Sequence, residues 1–230
     1  MSRSGTTTIV KINQPQVEGM DKKILCKAMC ECDKNPNIGI DGRKLKQNCV
    51  AAKMKLYSEG MEAMFGYQKS EYKQEINYNM TTIPPTPIMD STISTLAHKW
   101  LPGYIEKYMP GFVKGTGQIR RPDIVIVKDA NKPPTQDNIK QIVEMKFPPD
   151  ELEAKQRRAY ELIAGDKNKL VKLEPSDCDC DEPEPKGEMI PVESLQTVSK
   201  VAQILMLIFG GGRGMGPRGA PGGGRPVPAY

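Results

Sequence analysis

Glu144 and Lys146 lie two residues apart in the apolar run IVEMKF, and Asp123 opens a second run, DIVIV. Side chains alternate faces along an extended chain, so Glu144 and Lys146 project from one side of a strand. If the two runs pair as an antiparallel hairpin centred between Pro133 and Pro134, residues equidistant from that centre face each other, and Asp123 opposes Glu144. Opposed residues hold their Cβ atoms about 4.5–5.5 Å apart. Two carboxylates that close repel when both ionise, and a divalent cation relieves the repulsion. Oxygen-only ligation favours Mg²⁺ or Mn²⁺. Such an ion polarises a phosphoryl oxygen and acidifies water, while Lys146 orients the water or stabilises charge developing on phosphorus. That chemistry is phosphodiester hydrolysis by direct water attack. A one-residue slip would put the groups on opposite faces, but the apolar alternates Val143, Met145 and Phe147 support the stated register. Composition alone also permits a plain Glu144–Lys146 salt bridge with Asp123 ending a loop.

The elements that must position these groups follow from local pattern. RRPDIVIV reads as a strand, KDANKPPTQDN as a turn-rich loop and IKQIVEMKF as a second strand. PDELEAKQRRAYELIAG reads as a helix, with Asp150 as N-cap, Glu153 three residues on and Gly165 closing it. NKLVKLEP offers a returning strand. Leu152, Gln156, Ala159, Tyr160 and Ile163 share one face of that helix, so an amide sits on its inward stripe, either as a satisfied core group or as part of a site.

Upstream, residues 43–66 carry apolar residues at helical spacing and end at a glycine. Residues 1–42 read as an irregular, cysteine-containing segment whose Asn, Pro, Asp and Gly mark turns. STISTLAHKWLPGYIEKYMPGF offers short helices broken at Pro102 and Pro110. The nuclease-like region then spans 43–173, followed by an acidic linker at 174–189, an apolar helix at 190–209 and a Gly/Arg-rich flexible tail at 210–230.

The chain has 230 residues, 38% of them hydrophobic, which suffices for one sizeable core with appendages. A net charge of +5 from 33 basic and 28 acidic residues mildly favours a polyanionic partner. No run is apolar enough to span a bilayer and none has the pattern of a Sec signal, so the expectation is synthesis in the cytoplasm. Cys26, Cys30, Cys32 and Cys49 cluster early, and Cys178 and Cys180 late; free or structural thiols, disulfides across the clusters and a metal site all remain open. His98 is the only histidine, so a catalytic triad or histidine-metal finger is disfavoured and His98 reads as structural. No phosphate-cradling glycine loop precedes a helix, which argues against an NTPase.

Pro122-Asp123 before an apolar strand, then Glu144-x-Lys146 on the next, resembles the PD-(D/E)XK nuclease motif. Gln156, ten residues after Lys146, resembles the virus-type replication-repair nuclease family, VRR-NUC. The resemblance spans roughly residues 118–173. It implies an α/β restriction-endonuclease-like core, a small mixed sheet flanked by helices, acting on DNA with Mg²⁺ or Mn²⁺. Asp123 and Glu144 would be metal ligands, Lys146 the catalytic amine and Gln156 a supporting residue. The family's glycine after Glu-x-Lys is replaced here by Phe147-Pro148-Pro149. The family also uses an acidic residue on an upstream helix; Glu75 is favoured here as closest to the strands, with Glu71, Glu62 and Glu59 as alternatives. Arg120, Arg121, Lys155, Arg157 and Arg158 flank the site as candidate phosphate contacts.

INYNMTTIPPTPIMDSTIS, WLPGYIEKYMPGF and IRRPDIVIV further resemble bacterial VRR-NUC toxins of the type VI secretion kind. That resemblance implies delivery into a target cell's cytoplasm, a secretion apparatus and a cognate immunity protein. A structure-selective repair or phage nuclease, and an inactive protein- or DNA-binding module, are the alternatives.

Overall fold

The computed structural model describes residues 15–65, 70–98, 105 and 109–180. The polar start, most of WLPGYIEKYMPGF, the acidic linker beyond residue 180, the apolar helix and the Gly/Arg tail lie outside the described residues.

Residues expected to be irregular form a helix, α1 (Gly19–Lys34). Its buried positions Ile24, Leu25, Ala28, Met29 and Cys32 recur at helical spacing once cysteine is counted as apolar. A short hairpin follows, β1 (Asn37–Ile38) with β2 (Lys44–Leu45), turning through Asp41-Gly42. It takes Lys44 and Leu45 from the start of the expected helix, so α2 runs Lys46–Phe65.

The central sheet has four strands, β3 (Tyr72–Gln74), β7 (Ile124–Val127), β8 (Ile139–Met145) and β9 (Leu170–Leu173), in that order. Both pairings of β7 are antiparallel, and β8 runs parallel to β9. The parallel crossover is supplied by α3 (Ala154–Ala164). The expected antiparallel register holds at Ile124–Val143, Val125–Ile142 and Ile126–Gln141, then shifts where Val127 meets Ile139. At that bulge Asn138 donates side-chain hydrogen bonds to the Asp129, Lys132 and Pro133 carbonyls, so the loop is pinned rather than symmetric.

Both faces of the sheet are covered. Ile124, Ile126, Val143, Met145 and Phe147 pack on α1 and α2. Val125, Val127, Ile142 and Leu170 pack on Leu152, Ala159, Tyr160 and Ile163 from the α3 segment. This is the mixed α/β architecture that the nuclease resemblance implies, a small mixed sheet between helices.

Two local expectations are corrected. RRPDIVIV is not one strand: β6 (Ile119–Arg120) joins β4 (Tyr78–Asn79), which also pairs with β5 (Thr86–Pro87), in a separate three-stranded sheet. Pro122, which has no N–H to give a ladder, separates β6 from β7. Asp150 does not cap the helix: its N–H donates to the Phe147 carbonyl at 2.9 Å in the Pro148-Pro149 turn, and α3 starts at Ala154 behind Glu153. Gly165 ends α3 at φ 71°, a left-handed conformation that favours glycine.

All six cysteines are paired, as Cys26–Cys178, Cys30–Cys180 and Cys32–Cys49. Two bonds cross between the clusters as one reading expected, the third lies within the early cluster, and the free-thiol and metal readings fall away. They tie α1 to the segment after β9 and to α2. The first cross-link over some 150 residues constrains the unfolded chain by about 2–5 kcal/mol, and the second, closing a small further loop, adds less.

Candidate active site

Glu144 projects from β8 towards α3 and is 2% exposed. A carboxylate so buried needs hydrogen-bond donors. Its Oε1 accepts from Lys146 Nζ at 3.0 Å and Gln156 Nε2 at 2.7 Å; its Oε2 accepts from the Asp123 backbone N at 3.3 Å. In the other direction Asp123 Oδ2 accepts from the Met145 backbone N at 2.9 Å. Each carboxylate is thus tied to the backbone of the neighbouring strand, and Asp123, Glu144, Lys146 and Gln156 converge.

The helix contributes a second tier. Gln156 Nε2 also donates to Tyr160 Oη at 3.0 Å, and Tyr160 Oη donates to the Arg121 carbonyl at 2.9 Å. Gln156 and Tyr160 are one helical turn apart, so α3 clamps β8 and the approach to β7 together. Tyr160 was legible only as a core position; its spacing from Gln156 was the available signal.

Burial, followed by the charge of Glu144, pushes the Asp123 carboxyl up to about 7, against the opposing influence of the Met145 N–H and Lys146. Glu75 raises it further. Burial and the Glu144 charge also hold the Tyr160 phenol well above its usual range. The raised Asp123 carboxyl sits beside the Glu144 charge, and a cation there would favour the ionised form of Asp123. Among the described residues no group of three or more His, Cys, Asp or Glu side chains is assembled to hold a metal. Two carboxylates suffice for Mg²⁺, which keeps several waters and takes substrate phosphate oxygens as further ligands. The donor set of Asp123 and Glu144 fits that chemistry.

Glu75 does not lie on a helix. It follows β3 at φ 49°, its N–H donates to the Asp123 carbonyl at 3.1 Å, and its carboxylate lies 3.6 Å from Arg121. The expected helix had ended at Phe65, so the acidic residue beside Asp123 arrives on a strand end instead. With Gln47, Arg121, Asp123 and Met145, Glu75 lines a cleft of about 150 Å³. Of the α2 residues that line this cleft, Gln47 donates to the Met145 carbonyl at 3.1 Å, an amide that sequence reasoning passed over. Glu71 precedes β3, where burial and then Asp21 raise its pKa. Glu59 pairs with Lys55 on α2 at 3.8 Å, and the Glu62 side chain lies outside the described residues. Lys155, Arg157 and Arg158 are exposed on α3, Arg158 lining a separate groove with Gln136 and Glu161. His98 donates its backbone N–H to the Ile88 carbonyl at 3.2 Å.

Residues 95–171 match the family model described as the VRR-NUC domain. That stretch contains Asp123, Glu144, Lys146, Gln156 and Tyr160. No curated protein and no solved structure matches the chain.

Proposed function

We propose that this chain, which carries a VRR-NUC domain over residues 95–171 and with it a nuclease acting on DNA, is a Mg²⁺- or Mn²⁺-dependent endonuclease. The observation that supports the reading best is the joined pair of carboxylates with Lys146 Nζ 3.0 Å from Glu144 Oε1. In this reading Asp123 and Glu144 hold the ion, which when bound would supply Lewis acidity at the scissile phosphate. Lys146, fixed by Glu144, orients the attacking water or balances negative charge in the transition state. Gln156 positions Glu144, and Tyr160 positions Gln156. Glu75 tunes the charge at Asp123, and Arg120 and Arg121, with Lys155, Arg157 and Arg158 further out, contact the phosphate backbone.

Incubating the full-length protein with supercoiled plasmid, in Mg²⁺ or in chelator, tests this reading. Nicking only in Mg²⁺, lost in folded Glu144→Ala and Lys146→Ala, is expected; undiminished cleavage by both variants rules the site out.

The setting we propose is a toxin delivered by type VI secretion into the cytoplasm of a target bacterium and neutralised in the producer by an immunity protein. The support for this setting is the resemblance of INYNMTTIPPTPIMDSTIS, WLPGYIEKYMPGF and IRRPDIVIV to secreted toxins of that kind. Cytosolic expression should then kill, and Glu144→Ala should relieve the killing; harmless expression of the active enzyme would favour a repair or phage role.

A further inference from the structure

Next to the carboxylate cleft lies a larger pocket of about 380 Å³. Phe112, Lys114, Gly117, Arg120 and Arg121 line it, together with the nearly buried Asn77. No acidic residue is among its described lining residues, whereas the neighbouring cleft holds Asp123 and Glu75. Arg121 lines both, so the two concavities share a wall.

The pocket is preformed. Gly111, Gly115 and Gly117 adopt positive φ, which coils the loop back on itself. Val113 N donates to Gln118 Oε1 at 2.8 Å and Thr116 Oγ1 to the Val113 carbonyl at 2.7 Å, closing the loop. At Gly117 a Cβ would lie 3.0 Å from Arg120 Nη2, so the absence of a side chain lets the guanidinium rest against the loop. Phe112 packs partly on Ile88, Ile105 and Met109 and is otherwise accessible. The volume falls within the range of about 300–1,000 Å³ that small-molecule sites occupy. Among the described lining residues, three cations and one aromatic ring with no carboxylate suit a ligand with a phosphate at one end and a flat ring at the other.

We infer that this pocket receives one unstacked nucleotide of the strand being cut, its base against Phe112 and its phosphate between Lys114 and Arg120. The inference rests on the nuclease reading and deepens it. The nucleotide is the one next to the scissile phosphodiester, because Arg121 borders both spaces and its carbonyl holds Tyr160, which holds Gln156 and through it Glu144. Phe112 and Lys114 then act on substrate affinity and cutting position rather than on the chemical step.

Two measurements on the full-length protein decide this. The first is binding of a fluorescein-labelled single-stranded oligonucleotide by Glu144→Gln protein, alone or with Phe112→Leu or Lys114→Ala added. Leucine keeps the packing on Ile88, so the fold is preserved and checked by circular dichroism. Phe112→Leu should weaken Kd about fivefold or more, the low end of what one stacked base contributes. Lys114→Ala should flatten the slope of log K against log salt by about 0.7, one single-stranded phosphate contact. The second is cleavage by the wild type of an end-labelled strand carrying one abasic position, where cuts at one fixed offset from the gap should disappear. Unchanged affinity and salt slope in both variants, or even cutting around the abasic position, overturns the inference. A wild type that never cleaves DNA would strike the nuclease reading instead, and the binding arm would still decide the pocket.

Discussion

Replacing Asp123 by asparagine should stabilise the metal-free protein while abolishing its activity. With its carboxyl raised from 3.8 to about 7 by burial and Glu144, the folded state holds a proton at Asp123 more tightly than the unfolded chain does. Stability therefore falls as pH rises from the unfolded value towards about 7, and the full cost is present above it. At about 1.4 kcal/mol for each tenfold change in proton affinity, that cost reaches at most about 4 kcal/mol, and local relaxation reduces it to about 2–4. Asparagine removes the charge yet keeps an oxygen for the Met145 N–H. In a chain of 230 residues the gain amounts to a melting point higher by roughly 5–15 °C. Thermal unfolding followed by circular dichroism in chelator should show that difference at pH 8 and almost none near pH 4. Mg²⁺ at pH 8 should raise the wild-type melting point and leave the variant's unchanged. An Asp123→Asn protein no more stable than wild type at pH 8, or equally shifted at both pH values, would refute the electrostatic argument.

Lys146→Met should lose cleavage and, by leaving Glu144 buried without its charge partner, cost about 3–5 kcal/mol in a urea titration. Gln156→Ala should lower cleavage by roughly 10–100-fold, as loss of a group orienting a ligand does, and stability by about 1–3 kcal/mol; single-turnover assays and melting curves check the two. Exchanging Cys32 and Cys49 for serine opens a loop of separation 17 and should cost about 3 kcal/mol, seen as a lower melting point in non-reducing buffer. Because that bond anchors α2, whose Gln47 reaches the Met145 carbonyl, the same variant should also cleave more slowly at equal folded fraction.

What the sequence disclosed and what it hid divide along physical lines. The hairpin register was legible because alternation and a proline-centred loop act locally, and it holds through Ile126–Gln141. Its shift at Val127 was hidden because Asn138 sets it through three carbonyls of the loop. Helix α1 escaped notice because the turn-forming residues that follow it and its own cysteines masked an apolar stripe of Ile24, Leu25, Ala28 and Met29. The location of Glu75 depended on where α2 stops and β3 starts, a long-range matter. The meeting of Asp123, Glu144 and Lys146 was legible from the strand period and a hairpin centred at Pro133-Pro134, whereas the helix period marked Gln156 only as an inward amide and the family resemblance placed it at the site. Helical spacing placed Tyr160 beside Gln156, but the backbone carbonyls that Tyr160 and Gln47 reach belong to other elements, which periodicity does not reveal.

The proposed chemistry requires Asp123 and Glu144, from neighbouring strands, to hold one divalent cation beside Lys146. Titrating Mn²⁺ into the purified protein and counting bound ions by electron paramagnetic resonance tests it most directly. One tight site per chain is predicted for the wild type and for Lys146→Met, which binds the ion but does not cut, and none for Asp123→Asn or Glu144→Gln. A tight Mn²⁺ site that survives in both carboxylate variants would contradict it.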